Sequence, residues 1–384
     1  MTTAPEVIAS PQEAPDFAVS GLRSTDIPRA TRIYVNRNLR LDQIEMVGFD
    51  MDYTLALYNQ AQIEELSMRA TLHKLVSAKG YPEEIRALAY DPMLAVRGLV
   101  VDRVNGNVFK PDRYGYPGRA RHGLKPIERA QIGELYQRER TRLSNRRYAW
   151  IDSLFALPEA VLYAVLVDYF DRTTTKPDYA TMWEHIRECI DLAHRDGSIK
   201  AIVGAQLPSY IERDPGLPET LHKFRSSGKR LFLLTNSAWD YTSQVMSYLL
   251  DEGPNGDDRA YPASYPSWRH YFDVIVVSAG KPEFFTEERP FVELDGDGEP
   301  LVKSNGSSGA SNPGPFQRGR VYAGGNIREF QERARASGDR VLFVGDHIYG
   351  DMLRSRKSSN WRTAMILQEM EHEITTHDRL RQEL

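Results

Sequence analysis

Residues 44–54 read IEMVGFDMDYT, a short β-prone apolar run that leads directly into acidic residues. Three later segments have the same arrangement, namely LFLLTNS (231–237), VIVVSAGK (274–281) and VLFVGDHIYGD (341–351). Continuous Val, Leu, Ile and Phe residues without alternation predict strands that are buried on both faces, as in parallel α/β sheets. Because the carboxyl ends of parallel strands lie at one edge of a sheet, the polar residues after the four runs are expected to meet in one crevice.

The separation of the first two runs predicts an inserted domain. Asp50 and Thr235 are 185 positions apart, which is too long for a strand crossover. The intervening sequence is mixed: residues 97–110 predict a hairpin that turns at Asn105-Gly106, and helical patterns follow. We therefore predict an α/β fold, a doubly wound parallel sheet with an inserted mixed α+β cap domain. The expected ranges are a disordered tail at 1–30, a catalytic core at 31–58 and 206–384, a cap at 59–205 and a flexible loop within the core at 303–316.

The composition is typical of a globular protein. Of the 384 residues, 41% are hydrophobic and 27% are charged, and the net charge of −4 gives no general attraction to nucleic acid. The longest strongly apolar run, 161–167, is far shorter than the roughly 20 residues of a membrane-spanning helix, and the amino terminus lacks the apolar segment of a signal peptide. The single cysteine, Cys189, fits a reducing compartment. These features predict a cytoplasmic protein without nucleic-acid or membrane partners.

Asp50 and Asp52 follow the first predicted strand. Two carboxylates two positions apart at a strand end can divide the work of catalysis, since one can attack or bind a cation while the other transfers protons. After the second strand, Thr235, Asn236 and Ser237 precede a predicted helix, and hydroxyls with free backbone N–H groups at a helix amino terminus suit a phosphate oxyanion. Each group also has an ordinary structural interpretation, because Asp, Thr, Asn and Ser are common in turns and as helix caps.

Lys281 and a second pair of acids follow the other two runs. A lysine beside a phosphoryl group neutralises negative charge as it develops. Asp346 and Asp351, with glycines that allow tight turns, suit a hard cation such as Mg²⁺, which prefers oxygen ligands. A solvated lysine and a Gly/Asp turn are the alternative interpretations, but all four polar groups stand at the same place relative to four predicted buried strands. A shared phosphate and Mg²⁺ site accounts for this regularity better than four separate coincidences.

The same residues carry a family resemblance. Four strings resemble the ordered motifs of the haloacid dehalogenase superfamily of phosphohydrolases: DMDYT, LLTNS, the lysine of AGKP, and GDHIYGD. Longer strings, including VGFDMDYTLALY (47–58), are similar to the cytosolic purine 5′-nucleotidases of the IMP/GMP-preferring type. The resemblance extends from about Arg32 to about Ile366, which is nearly the whole of the chain expected to be ordered.

This resemblance implies roles for the residues at the sheet edge. Asp50 would be the nucleophile that forms an aspartyl-phosphate, and Asp52 would protonate the leaving nucleoside oxygen and then activate water. The polar residues of LLTNS would hold phosphate oxygens, and Lys281 would stabilise the phosphoaspartate. Mg²⁺ would be bound by Asp50, Asp346 and the main-chain carbonyl of Asp52, with Asp351 in support.

The resemblance also implies that the inserted region is a cap that closes over the substrate. Arg187, Asp191 and His194 stand at i, i+4 and i+7 on one face of a predicted helix, and Lys200 follows just past its end. These look like the family's substrate-contacting cap residues, and Tyr148 stands where the family places a base-stacking aromatic residue. The alternative is that Arg187 and Asp191 form a solvated ion pair and that Tyr148 belongs to the core of the insert.

The resulting prediction is a Mg²⁺-dependent 5′-nucleotidase, a phosphoric monoester hydrolase that converts a purine nucleoside 5′-monophosphate, IMP or GMP, to nucleoside and phosphate. The covalent intermediate that the resemblance implies would also permit phosphate transfer to a second nucleoside. Two alternatives stay open: a phosphatase of the same fold that acts on another phosphorylated metabolite, and a non-catalytic nucleotide- or phosphoprotein-binding module. The sequence leaves open the base preference, the allosteric effectors and whether the chain forms a homo-oligomer.

Overall fold

The computed structural model describes most of the chain. The described residues are 27–94, 96–136, 140–142, 144–173, 177–251, 265–301 and 314–383. The predicted tail at 1–30 lies outside them except for its last four residues, 27–30. The predicted loop at 303–316 likewise lies outside them except for 314–316. Both predictions therefore stay untested.

The described residues fall into two compact units. One unit spans Arg40–Ile366, and the other joins the residues before Arg40 to those after Ile366. Within this second unit Arg29 forms an ion pair with Asp378 of the carboxyl-terminal helix. Residues 31–39 and 367–384, which the sequence assigns to the core, thus group together in the second unit. The division of the larger unit into core and cap stays a prediction.

The described residues contain fourteen strands and eleven α-helices. The strands are β1 (Met46–Phe49), β2 (Leu57–Tyr58), β3 (Val100–Asp102), β4 (Asn107–Pro111), β5 (Pro117–His122), β6 (Lys125–Ile127), β7 (Tyr148–Trp150), β8 (Ile211–Glu212), β9 (Arg230–Leu234), β10 (Val274–Val277), β11 (Phe291–Leu294), β12 (Val321–Gly324), β13 (Val341–Gly345) and β14 (Arg362–Met365). The α-helices are α1 (Gln60–Lys79), α2 (Arg129–Tyr136), α3 (Leu157–Phe170), α4 (Tyr179–Arg195), α5 (Ser198–Ala205), α6 (Leu207–Tyr210), α7 (Leu217–Ser226), α8 (Trp239–Leu250), α9 (Ile327–Ala334), α10 (Arg354–Ser359) and α11 (Gln368–Glu383). None of the described helices combines the length and the hydropathy that crossing a bilayer requires.

Seven strands form the central sheet in the order β11-β12-β10-β9-β1-β13-β14. All neighbours pair in parallel except β11, which runs antiparallel to β12 at one edge. Every residue of β1 and β10 is buried, as the unbroken apolar runs predict for strands covered on both faces. Strands β9 to β12 lie on one side of β1, and the chain then crosses to the other side of β1 for β13 and β14. The doubly wound parallel fold is therefore confirmed, and its crevice lies at the carboxyl end of β1.

Aromatic side chains pack tightly over the middle of β1. Phe232 of β9 and Phe343 of β13 stand opposite Gly48 from its two sides, and their rings stack with centroids 5.9 Å apart. Trp361 packs against Phe232 at 5.5 Å. This packing needs Gly48, because a Cβ there would lie 1.9 Å from the Phe232 ring. Burial of each large apolar side chain contributes about 1.5–3 kcal/mol, so the cluster firmly anchors the strand that ends at Asp50.

The insert between β2 and β8 has its own sheet and helices, as predicted. Five antiparallel strands pair in the order β6-β5-β4-β3-β7. The β3–β4 hairpin turns through Asn105 and Gly106, and Gly106 has a φ of +69°, which glycine adopts without strain. Buried Asp102 accepts hydrogen bonds from Arg147 and Tyr136, so this carboxylate inside the insert is compensated. The mixed α+β content of the insert is therefore observed.

The insert leaves and re-enters the central fold at a two-stranded ribbon. β2 and β8 pair antiparallel, with Leu57 opposite Glu212 and Tyr58 opposite Ile211. The main-chain N–H of Asn59 also donates to the carbonyl of Tyr210, the residue before β8, at 2.8 Å. The two connections of the insert thus lie side by side, close to the predicted limits of the cap.

Candidate active site

Polar side chains gather at the carboxyl end of the central strands. Asp50 follows β1, Thr235 follows β9, and Asp346 follows β13. Lys281 lies four residues after β10, and all four side chains are buried. The Lys281 ammonium lies 2.9 Å from Asp50 Oδ2 and 2.7 Å from Asp351 Oδ1. Residues that are far apart in the sequence therefore touch one another at the predicted edge of the sheet.

Three carboxylates at this edge could hold a metal ion. Asp50, Asp346 and Asp351 each offer an oxygen, and these oxygens lie within 4.8 Å of one another. Asp346 Oδ2 is buried and has no hydrogen-bond partner among the described residues. A buried carboxylate oxygen without a partner is costly, whereas hard divalent cations prefer such oxygens as ligands. The residues present therefore fit a divalent metal ion.

Burial and like charges govern the acid–base behaviour of this cluster. Burial raises the pKa of Asp50 well above its ordinary value, although attraction to Lys281 acts in the opposite direction. Burial, reinforced by the charge of Asp351, raises the pKa of Asp346 to about 7. Burial alone would lower the pKa of Lys281, but attraction to Asp351 and Asp50 outweighs it and the pKa is raised. The lysine thus stays charged, and a bound cation would favour the ionised form of the acids.

The loop after β13 brings Asp351 back to the end of the strand. Residues Ile348–Leu353 form a short π-helix. His347 Nδ1 caps its start by accepting hydrogen bonds from the main-chain N–H groups of Tyr349 and Gly350. In return, Asp351 Oδ2 accepts from the N–H of His347 at 3.1 Å. Gly345 leaves room for this contact, because a Cβ there would lie 2.5 Å from Asp351 Oδ2. Turns of π-helix are rare and occur often at functional sites, which agrees with this position.

Asp52 lies beside Asp50 on a tight turn. Tyr53, the next residue, is in the left-handed region at a φ of +54°, an unfavourable conformation for a residue with a side chain that is found mainly at functional sites. Asp52 Oδ1 accepts from the Tyr58 hydroxyl at 2.6 Å, and Oδ2 accepts from the Ser237 hydroxyl at 2.8 Å. Both carboxylate oxygens of Asp52 are therefore held by hydroxyl groups.

The predicted phosphate-binding residues make contacts within the site. The N–H of Ser237 donates to the Thr235 hydroxyl at 3.1 Å, and the Ser237 hydroxyl donates to Asp52. The side-chain amide of Asn236 donates to the Lys281 carbonyl at 2.9 Å, and its oxygen accepts from the Lys281 N–H at 2.6 Å. Asn236 thus fixes the main chain of Lys281. The contact of these three residues with phosphate stays a prediction.

A pocket lies beside Asp52 and contains two of the predicted cap residues. Asp52 and Ser237 line it from the central fold, and His194, Lys200 and Phe155 line it from the insert. Burial lowers the pKa of His194, and the nearby Lys200 acts in the same direction, so the imidazole is neutral at pH 7. The structure therefore brings His194 and Lys200 together with the predicted acid–base residue.

The other three predicted cap residues do not line this pocket in the part of the chain that is described. Arg187 forms ion pairs with buried Glu159 and with Asp191. Tyr148 packs edge-on against Phe109, with ring centroids 5.7 Å apart, in the core of the insert. These contacts include the ion pair and the core packing of the alternative interpretation, and the contact of the three residues with substrate stays a prediction. Arg187 lies in the middle of α4, where it reaches Glu159 of α3, and Tyr148 of β7 packs against the apolar cluster of the insert.

The comparison with known families identifies the chain. A model described as the 5′ nucleotidase family matches residues 33–383. The chain belongs to the 5′-nucleotidase family. A 5′-nucleotidase domain-containing protein of Dictyostelium discoideum is 30% identical over 347 residues, which cover 89% of this chain and 56% of the relative. The human 5′-nucleotidase domain-containing protein 2 is 31% identical over 354 residues, which cover 89% of this chain and 64% of the relative.

This member of the 5′-nucleotidase family spans part of the length of the two relatives. The chain spans between 56% and 64% of the length of these two relatives, so their full-length properties do not transfer directly. A solved structure of a predicted phosphoglycolate phosphatase from Haemophilus somnus is 14% identical, covers 86% of this chain and 98% of that one, and has a TM-score of 0.30. A likeness at this level supports no argument about the site.

Some residues of this 5′-nucleotidase-family site are not predicted from the sequence. Arg97 of the insert donates to the main-chain carbonyl of Asp346 at 3.0 Å. Phe155, Tyr58 and Tyr241 line the pocket beside Asp52. No periodic pattern marks these positions, because each reaches the site through tertiary packing. The available signals are that Tyr58 is the last residue of the string VGFDMDYTLALY and that Tyr241 lies in LLTNSAWDYT (233–242), since both strings carry the resemblance.

Proposed function

We propose that this protein is a phosphoric monoester hydrolase that removes phosphate from nucleoside 5′-monophosphates with the help of a divalent metal ion. The observation that carries the proposal is the Lys281 ammonium between Asp50 and Asp351, at 2.9 and 2.7 Å. Transfer of a phosphoryl group needs charge neutralisation and positioning more than elaborate covalent chemistry. Membership of the 5′-nucleotidase family supports nucleotides as the substrate class.

The proposed reaction has two steps that use two carboxylates. In the first, Asp50 attacks phosphorus, the bond from phosphorus to the nucleoside oxygen breaks, and Asp52 donates a proton to that oxygen. In the second, Asp52 takes a proton from water, the water oxygen attacks the aspartyl-phosphate, and phosphate leaves Asp50. The position of Asp52 at the edge of the pocket supports this division, because a general acid must lie within hydrogen-bond reach of the leaving oxygen.

Mg²⁺ is the metal ion that we propose, held by Asp50, Asp346 and the main-chain carbonyl of Asp52. When bound, it would neutralise phosphate charge and orient the phosphoryl group. Asp346 Oδ2 has no hydrogen-bond partner among the described residues, which supports its role as a ligand. Asp351 is proposed as a support rather than a ligand, because one of its oxygens accepts from Lys281 and the other from a main-chain N–H. Lys281 would then remain beside the phosphoaspartate and stabilise its charge.

The pocket beside Asp52 is the proposed place of the nucleoside. His194 and Lys200 line it, and Phe155 stands edge-on to His194 with ring centroids 6.4 Å apart, which supports a planar base. A purine, as in IMP or GMP, is proposed from the resemblance. Thr235 is proposed to contact the phosphate together with its two neighbours. The aspartyl-phosphate would also permit transfer to a second nucleoside that enters this pocket.

A cytoplasmic location without a nucleic-acid partner is part of the same proposal. The lone cysteine, Cys189, is buried and free, which fits a reducing compartment. The net charge of −4 supports the absence of a general attraction to nucleic acid. Titration of labelled RNA and DNA at physiological salt checks this part, and tight binding would contradict it.

Phosphate release measured with Mg²⁺ and with a chelator, across IMP, GMP, AMP, UMP and sugar phosphates, tests the proposal. We expect release that depends on Mg²⁺ and is fastest with IMP and GMP. Preference for a sugar phosphate would instead favour a phosphatase for another metabolite. Binding of nucleotides without release of phosphate would favour the non-catalytic binding module. Equal release in chelator and in Mg²⁺ would contradict the metal requirement.

A further inference from the structure

The surroundings of Asp52 contain a hydrogen-bonded chain that the proposed reaction does not use. Asp52 accepts from Tyr58 at Oδ1 and from Ser237 at Oδ2, at 2.6 and 2.8 Å. A carboxylate offers about four lone-pair sites, so each oxygen keeps one site for a substrate or a water molecule. The two hydroxyls therefore fix the rotation of the carboxylate without blocking it.

Tyr58 is itself oriented by a second phenol. The hydroxyl oxygens of Tyr58 and Tyr241 lie 2.7 Å apart, and both are buried. A phenol has one proton, and that of Tyr58 goes to Asp52, so Tyr241 is the donor in the contact between the two rings. The order of donation is Tyr241 to Tyr58 to Asp52. Tyr241 lies in α8, and its ring faces the Lys200 ammonium at 5.1 Å.

Packing leaves the ring of Tyr58 little freedom to move. It lies against Tyr53 with centroids 4.9 Å apart and against Phe155 at 6.3 Å. Its main chain pairs with Ile211 in the ribbon between β2 and β8. The position of the Tyr58 hydroxyl is thus set by two neighbouring rings and a strand pair. A donor held in this way can fix the position of the acid to which it donates.

We propose that Tyr58, oriented by Tyr241, is a positioning residue that holds the Asp52 carboxylate at the edge of the pocket in the orientation needed for proton transfer. This inference rests on the proposed function, in which Asp52 donates a proton to the leaving nucleoside oxygen. Tyr58 acts through Asp52 and takes no part in bond making. Misplacement of a catalytic group by about 1 Å can cost about 100-fold in rate, so loss of this hydrogen bond should lower turnover rather than substrate binding.

Substitution of the phenols by phenylalanine tests the proposal in the whole chain with Mg²⁺. For Tyr58→Phe we expect kcat with a nucleoside monophosphate to fall roughly ten- to hundredfold while KM changes less than about twofold. For Tyr241→Phe we expect a smaller loss, because Tyr58 can still donate to Asp52. Tyr163→Phe is the matched control: it removes another buried phenol, which donates to the Asp102 carbonyl inside the insert, and it should keep kcat.

A crystal structure of Tyr58→Phe gives a readout that does not depend on turnover. We expect the Asp52 carboxylate to rotate away from its present position or to show two orientations. A full kcat in Tyr58→Phe, or an Asp52 that keeps its place without the phenol, would overturn the proposal. An equal loss of kcat in the Tyr163→Phe control would also overturn it, since the effect would then be one of general stability. A wild type that releases no phosphate would contradict the proposed function. The orientation of Asp52 in the Tyr58→Phe crystal structure would still show whether Tyr58 positions this carboxylate.

Discussion

Replacement of Asp346 by Asn tests the metal site through stability rather than through turnover. Asp346 has a buried oxygen without a described partner and lies close to two further carboxylates. Asn keeps the shape of the side chain and removes one negative charge from a cluster that contains the Lys281 ammonium. We expect the metal-free variant to gain stability relative to the wild type as the pH rises, and to respond less to Mg²⁺.

The magnitude follows from the raised pKa of Asp346, which is about 7 against an ordinary value of 3.8. The folded state binds this proton more tightly than the unfolded state, so wild-type stability falls as the pH rises between these two values and stays lower above them. At about 1.4 kcal/mol per pKa unit, the ionised side chain costs the metal-free fold at most about 4 kcal/mol. The unit Arg40–Ile366, which contains Asp346, has an expected unfolding entropy of roughly 0.7 kcal/mol/K. The cost therefore corresponds to at most about 6 °C in Tm.

The assay is a melting curve for wild type and variant at pH 5 and pH 8, first in chelator and then in Mg²⁺. A cation at 100 times its Kd stabilises the state that binds it by about 2.7 kcal/mol, which corresponds here to about 4 °C for the wild type. Asp297→Asn serves as control, because it removes the charge of an exposed acid in a turn. The reasoning is refuted if Mg²⁺ raises Tm equally in Asp346→Asn and wild type, or if their difference in Tm is the same at both pH values.

Three further substitutions have expected outcomes. Asp50→Asn should lower phosphate release by at least about 10⁴-fold with an unchanged circular dichroism spectrum, and normal release would remove the proposed nucleophile. Gly345→Ala should weaken Mg²⁺ binding in calorimetry by roughly 10- to 100-fold, because the new Cβ would displace Asp351. An unchanged affinity for Mg²⁺ would contradict the close approach of Asp351 to Gly345. Lys200→Met should raise KM for nucleotides by roughly tenfold with little change in kcat, because Lys200 lines the pocket. Lys223 is exposed, and Lys223→Met should change neither constant. Equal effects of the two substitutions would argue against the pocket as the nucleoside site.

The residues at the sheet edge could be predicted from the sequence because two local rules fix them. Unbroken apolar runs indicate strands buried on both faces, and parallel strands end at a common edge. These rules place Asp50, Thr235, Lys281 and Asp346 together without any knowledge of side-chain packing. The observed contact of Lys281 with Asp50 is the geometry that the rules require. The family resemblance added roles to these positions but was not needed to bring them together.

The cap residues show where such rules stop. Arg187 and His194 both lie in α4, at i and i+7, so they share the predicted helical face. Seven residues of α-helix, however, extend about 10 Å along the axis, so a shared face does not mean a shared contact. The carboxyl-terminal end of the helix reaches the pocket with His194, while Arg187 lies farther back and pairs with Glu159. The crossing position of a helix depends on tertiary packing, which no local pattern specifies.

A purely structural ion-pair network is the strongest alternative for the buried cluster, and its charges do not fit that role. Lys281 and Arg97 bring two positive charges to the three carboxylates, and the pKa of Asp346 stays raised in their presence because of its burial and the charge of Asp351. A buried network that is left with excess negative charge destabilises a fold unless a ligand supplies the missing positive charge. A cation-binding module would satisfy that need, but it would have no use for Asp52, which stands between the cluster and the pocket with hydroxyl donors on both oxygens. Proton transfer to a leaving group does require an acid at that place, and this position therefore favours an enzyme over a binding module.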